Sequence, residues 1–189
     1  MPPKTRITKE MVLDAAFELV RESGVESVNA RTIAKRLNCS TQPVMYLFKR
    51  IEDLKRALYD KADWYHSDYL MRIDDPEDRM LGIGLNYIRF AIYEPNLFRF
   101  LFQSGYAKEH NLLEMVEAEE LMPILSAMQD AMQLRMEQVK KVFVSIAVFA
   151  HGYASIIANN ALEYDEQVVI SHLDRAYRGA LLAVGEENE

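Results

Sequence analysis

A single cysteine, Cys39, in 189 residues rules out an internal disulfide framework and fits a reducing compartment. Only seven glycines and six prolines argue against a loop-rich β protein. There is no glycine-rich phosphate loop and no nucleophile motif. His66, His110, His151 and His172 show no close metal-ligand spacing, so neither a metal nor another cofactor is expected. No internal repeat or low-complexity segment is visible. The N-terminus MPPKTRITKE lacks the apolar region of a secretory signal, and a cytoplasmic location is the expectation. The longest apolar run, residues 142–158, is broken by Ser145, His151, Gly152 and Ser155 and falls short of a comfortable membrane span. No membrane association is expected. A helix apolar nearly all round is otherwise buried in a core or a subunit contact.

What the chain has is apolar content and an uneven charge. Half of its residues are hydrophobic, enough for a substantial core. The net charge of −7 divides into +3 over residues 1–60 and −10 over residues 61–189. A local positive field can hold phosphate while an acidic remainder repels it.

That basic excess surrounds residues 29–48, NARTIAKRLNCSTQPVMYLF. Ile33, Ala34 and Leu37 make an apolar stripe for a short helix. Asn29 is a good N-cap, and Asn38 tolerates the left-handed conformation of a helix stop. Ser40 can cap a second helix, with Pro43 in its first turn, where a missing N–H costs little. Val44 and Phe48 are its buried face, leaving Thr41, Gln42 and Tyr46 outward. This is the layout of a helix-turn-helix, whose second helix enters the major groove of DNA. An ordinary helical hairpin has this layout too, but the helix-turn-helix is the favoured reading.

The remaining pattern is helical throughout. Residues 1–7 form a polar arm in which Lys4 and Arg6 can touch phosphate. Thr8 caps a helix to about Ser23, stopped by Gly24, with Val12, Ala15, Ala16, Phe17, Leu19 and Val20 inside. A long helix over residues 51–72, with Leu54, Leu58, Ala62, Tyr65 and Tyr69 recurring at helical spacing, links two domains mechanically. Asp75 and Pro76 open a helix to about Tyr93, with Leu81, Leu85, Ile88 and Ile92 inside. Glu94 and Pro95 open another to about Gln103. Residues 104–111 connect to a helix over residues 112–134 in which Pro123 is a break or kink. Residues 135–162 carry the apolar run. Asp165 opens the last helix, with Val168, Val169, Leu173, Ala176, Tyr177, Ala180 and Leu181 on its seam.

Three helices with a helix-turn-helix, a long connecting helix and five more helices resemble the TetR family of bacterial transcriptional repressors. The resemblance is sharpest from Thr8 to about Leu58, over VNARTIAKRLNCSTQPVMYLFKRIEDL. There Asn29 stands where a threonine cap is common, and Arg31 on a frequent arginine. Ile33 and Ala34, the Ser40 cap and the aromatic Phe48 also match. Asn38 replaces the usual turn glycine, Met45 a common tyrosine, and Ile51 a frequent lysine, whose role passes to Lys49 or Arg50. In the C-terminal half the resemblance rests on helix number and on His151 with Gly152.

The resemblance implies an all-α fold of about nine helices. A helix-turn-helix DNA-binding domain over residues 1–50 precedes a ligand-binding and dimerisation domain over residues 51–189. It implies a ligand-responsive repressor that binds a palindromic double-stranded DNA operator as a homodimer, its last two helices packed against their mates. It implies Ser40, Thr41 and Lys49 on phosphate and Arg31 on backbone or a guanine edge. Gln42 and Tyr46 are our choices for base-edge contact, since glutamine can pair bidentately with adenine. A small apolar or amphipathic effector, of unidentified structure, would occupy a pocket in the second domain, and Tyr65, Tyr69, Phe102, Met122, Phe149 and Tyr153 are its candidate lining. Met and aromatic side chains make adaptable apolar cavities. The competing classes are an adaptor that kept the fold and lost DNA, and an all-helical enzyme without a recognisable motif. No enzyme activity is expected.

Overall fold

The computed structural model describes residues 7–73, 79–106, 116–160 and 163–186. Among these residues there are nine α-helices and no strand. They are α1 (Lys9–Ser23), α2 (Ala30–Arg36), α3 (Thr41–Leu47), α4 (Ile51–Leu70) and α5 (Arg79–Tyr93). Then come α6 (Pro95–Gln103), α7 (Met122–Met132), α8 (Met136–Asn160) and α9 (Glu166–Glu186). The expected arm with Lys4 and Arg6, the Asp75–Pro76 helix start, His110 and the opening of the 112–134 helix lie outside the described residues.

Contacts divide the chain into two compact units. One is Met1–Asp68 with Glu94–Ala107, the other Tyr69–Tyr93 with Lys108–Glu189. The sequence reading placed its boundary at residue 50. The first unit retains most of α4 and takes back α6. The reason is packing: α6 lies on α1, and its Leu97, Phe98, Phe100 and Leu101 are buried. A second run of apolar side chains thereby extends the small core of Val12, Ala16, Val20, Ile33 and Val44.

Local chemistry sets the helix ends in the first unit. The Thr8 hydroxyl accepts from the Met11 N–H at 3.2 Å. Asn29 Oδ1 accepts from the N–H groups of Arg31 and Thr32, while Thr32 Oγ1 accepts from the Asn29 N–H, closing a reciprocal capping box. Gly24, at φ 80° and ψ 167°, ends α1 by donating its N–H to Val20 O. In α4 the buried positions are Leu54, Leu58, Ala62, His66 and Leu70, one every fourth residue. His66 occupies a place in this stripe that the sequence reading gave to tyrosines; Tyr65 and Tyr69 flank it, half-buried.

In the second unit α5 packs on α8 and α9, and α8 also receives α7. The core is Ile88, Phe90, Leu125, Met128, Val139, Val142, Ala154 and Leu173. Pro123 is a break: it sits in the first turn of α7, directly after the 3-10 turn Glu119–Leu121. Asp165 caps α9, its Oδ1 accepting from the Gln167 and Val168 N–H groups. The apolar α8 is long and apolar enough to cross a membrane by length and composition, yet only 22% of its most apolar window is buried. Val148 and Ile156 face outward at 50% and 52% exposure.

Candidate nucleic-acid interface and ligand cleft

The turn between α2 and α3 is built as its residues dictate. Asn38 takes φ 50°, and the Cys39 N–H reaches back to Ala34 O at 2.9 Å. Extended backbone at Ser40 then starts α3. Its hydroxyl makes no capping bond, contrary to the expectation. An N-cap oxygen accepts from the second or third helical N–H, and the third residue of α3 is Pro43, which has none. The exposed Ser40 hydroxyl is left to other partners.

Val44 and Phe48 are buried and hold α3 against the unit. Thr41, Gln42, Met45 and Tyr46 are exposed, Tyr46 at 84%. Arg31, at the start of α2, and Lys49, just past α3, are exposed as well. All six DNA-contact candidates therefore lie in or beside the helix-turn-helix with their side chains in solvent. Not every nearby cation is equally available. Arg36 is closed on Glu22 and Arg50 on Asp53, the latter at 3.1 Å. Each carboxylate raises its arginine's pKa, and neither Arg36 nor Arg50 brings an uncompensated charge to the surface. Of the two residues expected to take the role of a lysine at position 51, Lys49 is exposed and Arg50 is paired with Asp53.

The six ligand candidates are divided between the two units. Tyr65 and Phe102 belong to the first unit: the Tyr65 hydroxyl donates to Glu94 at 3.1 Å, and Phe102 meets the His66 ring edge-on at 5.2 Å. In the second unit Met122 is 40% exposed at the start of α7. Phe149 and Tyr153 meet along α8 with their rings tilted by 46°, and Tyr153 continues to His172 on α9 at 6.0 Å. Tyr69 borders a cleft of about 330 Å³, with Arg72, Asn86, Arg89, Tyr93 and Glu166.

Sequence reasoning missed those five partners. Their signal was present, because Asn86 and Arg89 interrupt an otherwise apolar α5 at a spacing of three. Arg89 donates through Nε and a terminal nitrogen to the two oxygens of Glu166, at 3.0 and 2.7 Å. The pairing holds the Glu166 carboxyl below its usual range, and the Tyr164 hydroxyl donates to it too. Elsewhere in the unit the Tyr87 hydroxyl and His151 Nδ1 are hydrogen-bonded at 2.9 Å. Burial lowers the His151 pKa. Among the described residues no three His, Cys, Asp or Glu side chains are grouped to hold a metal ion.

A capped helix-turn-helix in one unit and an all-helical second unit define the TetR-family fold, and the resemblance read from the sequence holds at that level. No family model matches the chain. It is similar to YobS of Bacillus subtilis, an uncharacterized HTH-type transcriptional regulator, with 20% identity over 177 residues and 90% of each chain covered. A TetR-like transcriptional regulator from Rhodococcus sp. RHA1 superimposes with TM-score 0.62 at 14% identity, covering 95% of this chain and 97% of that one. A TetR-family member from Streptomyces coelicolor gives 0.59 at 14% identity, over 89% and 96%. The repressor AlkX from a Dietzia strain, implicated in n-alkane biodegradation, gives 0.51 at 16% identity, over 95% and 98%. By their names YobS and the Rhodococcus protein are transcriptional regulators and AlkX is a repressor.

Proposed function

We propose that the chain is a ligand-responsive, cytoplasmic transcriptional repressor that binds a palindromic operator as a homodimer. The observation that carries the reading is α3. A seven-residue helix is pinned from behind by Val44 and Phe48, and its whole outer face of Thr41, Gln42 and Tyr46 is in solvent. A rigid helix with polar side chains outward and cations beside it matches the depth and charge of the DNA major groove. Ser40, Thr41 and Lys49 serve phosphate, Arg31 backbone or guanine, and Gln42 and Tyr46 base edges.

The outward apolar face of α8 and α9 supports the dimer. Val148 and Ile156 on α8, with Val168 and Leu182 on α9 at 43% and 68% exposure, would leave apolar surface in water in a lone subunit. Gly152 and Gly179 open onto free space beside them and would let helices approach closely. A two-fold pair reads half-sites about 34–36 Å apart. Residues 1–50 are the DNA-binding domain in this reading and residues 51–189 bind ligand and dimerise. An effector that prefers one arrangement of the ligand domain shifts α4 and the separation of the recognition helices.

The test is a gel shift on DNA from upstream of the protein's own gene, beside light scattering of the free protein. A specific shift and a dimer at micromolar concentration are expected. No shift with a folded dimer favours the adaptor that lost DNA, whereas a monomer removes the two-fold operator.

A further inference from the structure

We propose that the cleft at Tyr69, Arg72, Asn86, Arg89, Tyr93 and Glu166 is the effector site, and that its ligand is a small aromatic carboxylate. This rests on the regulator reading above and names where and by what chemistry the ligand is held. The lining carries two guanidinium groups and one carboxylate. A cationic ligand would face both arginines. A wholly apolar one would strip water from them without replacing its hydrogen bonds. A carboxylate matches the planar fork of a guanidinium with two parallel bonds.

The cleft is also held in shape before any ligand arrives. Asn86 is 5% exposed. Its Nδ2 donates to Arg72 O at 2.7 Å and Leu70 O at 3.3 Å, and its Oδ1 accepts from Arg89 at 3.3 Å. One buried amide thus ties the end of α4 to the middle of α5 and fixes the backbone from which Arg72 projects. Glu166 pins the head of Arg89. Arg72 is exposed, with its guanidinium 5.6 Å from the Tyr69 ring centre. Tyr93 also lines the cleft, 64% exposed, a large apolar surface in water. In the proposed pose a flat ring lies against Tyr93, with its acid group at Arg72. About 330 Å³ is at the small end of ligand cavities and suits roughly ten to fifteen non-hydrogen atoms.

The experiment is titration calorimetry on the full chain without DNA, at neutral pH. The probes are 1-naphthoate, 1-naphthamide, 1-naphthylmethylamine and phenyl phosphate. Naphthoate is expected to saturate one site per subunit, with the other three at least tenfold weaker. Arg72→Gln should weaken naphthoate at least tenfold and leave the amide unchanged. Glu166→Gln, which removes the one negative charge of the lining, should tighten naphthoate several-fold. Tyr93→Ala should weaken acid and amide alike. Circular dichroism melts establish that each variant is folded.

Equal binding of acid and amide overturns the proposal. So does a preference for phenyl phosphate, an unchanged Arg72→Gln, or no binding by any probe up to millimolar concentration. The regulator reading is scored separately. A specific gel shift without naphthoate binding removes the site and keeps the regulator. Naphthoate binding that leaves operator affinity unchanged keeps the site and removes the proposed response.

Discussion

The guanidinium of Arg21, near the end of α1, closes on the carboxylate of Glu94, which precedes α6 by one residue, with Nε 2.9 Å from Oε2. Glu94 is 8% exposed, a rare degree of burial for a carboxylate. The Tyr65 hydroxyl donates to the same group, and the Arg21 guanidinium lies 5.8 Å from the Tyr65 ring centre. The pair raises the Arg21 pKa above its ordinary value. Asn96 adds a bond from its amide to Arg21 O at 2.9 Å, so α1 is tied to α6 twice.

Removing one member should therefore cost more than removing a surface ion pair. Arg21→Ala leaves the Glu94 carboxylate buried with Tyr65 as its remaining donor. Arg21 keeps 37% of its side chain in water, so the loss is set below that of a fully buried pair, at about 1–2 kcal/mol. Urea melts of Arg21→Ala, Glu94→Gln and the double variant measure it. The double variant should be less destabilised than the sum of the singles. Strict additivity would mean the two groups do not act on each other.

Gly24 gives a second prediction, with a purely backbone cause. At φ 80° and ψ 167° it occupies a region that side chains with a Cβ rarely enter, although an added Cβ would meet nothing nearer than 3.9 Å. Gly24→Ala should lower stability by about 1–3 kcal/mol, from strain and not from a clash. A thermal melt unchanged within error would show that the chain relaxes around this turn without cost.

The first unit was the more legible in the sequence because its structure is decided locally. Asn29, Asn38, Gly24 and Thr8 act within a few residues of themselves, and each does what its side chain or missing side chain allows. Ser40 is the exception: its hydroxyl makes no capping bond, and the proline three residues on removes one of the two N–H groups that could have served it. Partnerships over long separations were not legible. Nothing near Glu94 in the chain announces Arg21, 73 residues away. Nothing near Arg89 announces Glu166, 77 residues away. The candidate lining was chosen by aromatic content, which marks core and cleft alike. The polar interruptions of α5 mark the cleft bordered by Asn86 and Arg89.

His66 should make stability depend on pH. Burial in the α4 stripe, edge-on to Phe102, pushes its pKa from 6.5 down to about 3. The unfolded chain takes up a proton near pH 6.5, while the folded chain does not until about pH 3. Its contribution to stability is therefore complete above the unfolded value and drains as pH falls between the two. The loss is about 2 kcal/mol at pH 5, relative to a variant lacking the group. Denaturant melts of the wild type and His66→Leu at pH 7 and pH 5 test this. The difference between the two proteins should shift by that amount in favour of the variant on acidification. Parallel profiles would show that the imidazole is protonated in the folded chain.

The exposed face of α3 yields the prediction closest to function. Gln42 and Lys49 are both in solvent, but in the proposed complex one meets a base edge and the other a phosphate. A base-edge amide discriminates sequences, and its loss falls on the correct site, by about 1–3 kcal/mol. A phosphate cation attracts every sequence alike and releases a counterion when it binds. Gln42→Ala should therefore reduce operator affinity while leaving random DNA nearly unchanged, and its salt slope should match the wild type. Lys49→Ala should weaken operator and random DNA in the same proportion and flatten the slope of log affinity against log salt by about one unit. Fluorescence anisotropy over a salt series, on operator and scrambled duplexes, separates the two patterns. If both variants lose affinity equally on both duplexes, α3 docks on the backbone alone and specificity must arise from other residues or from DNA shape.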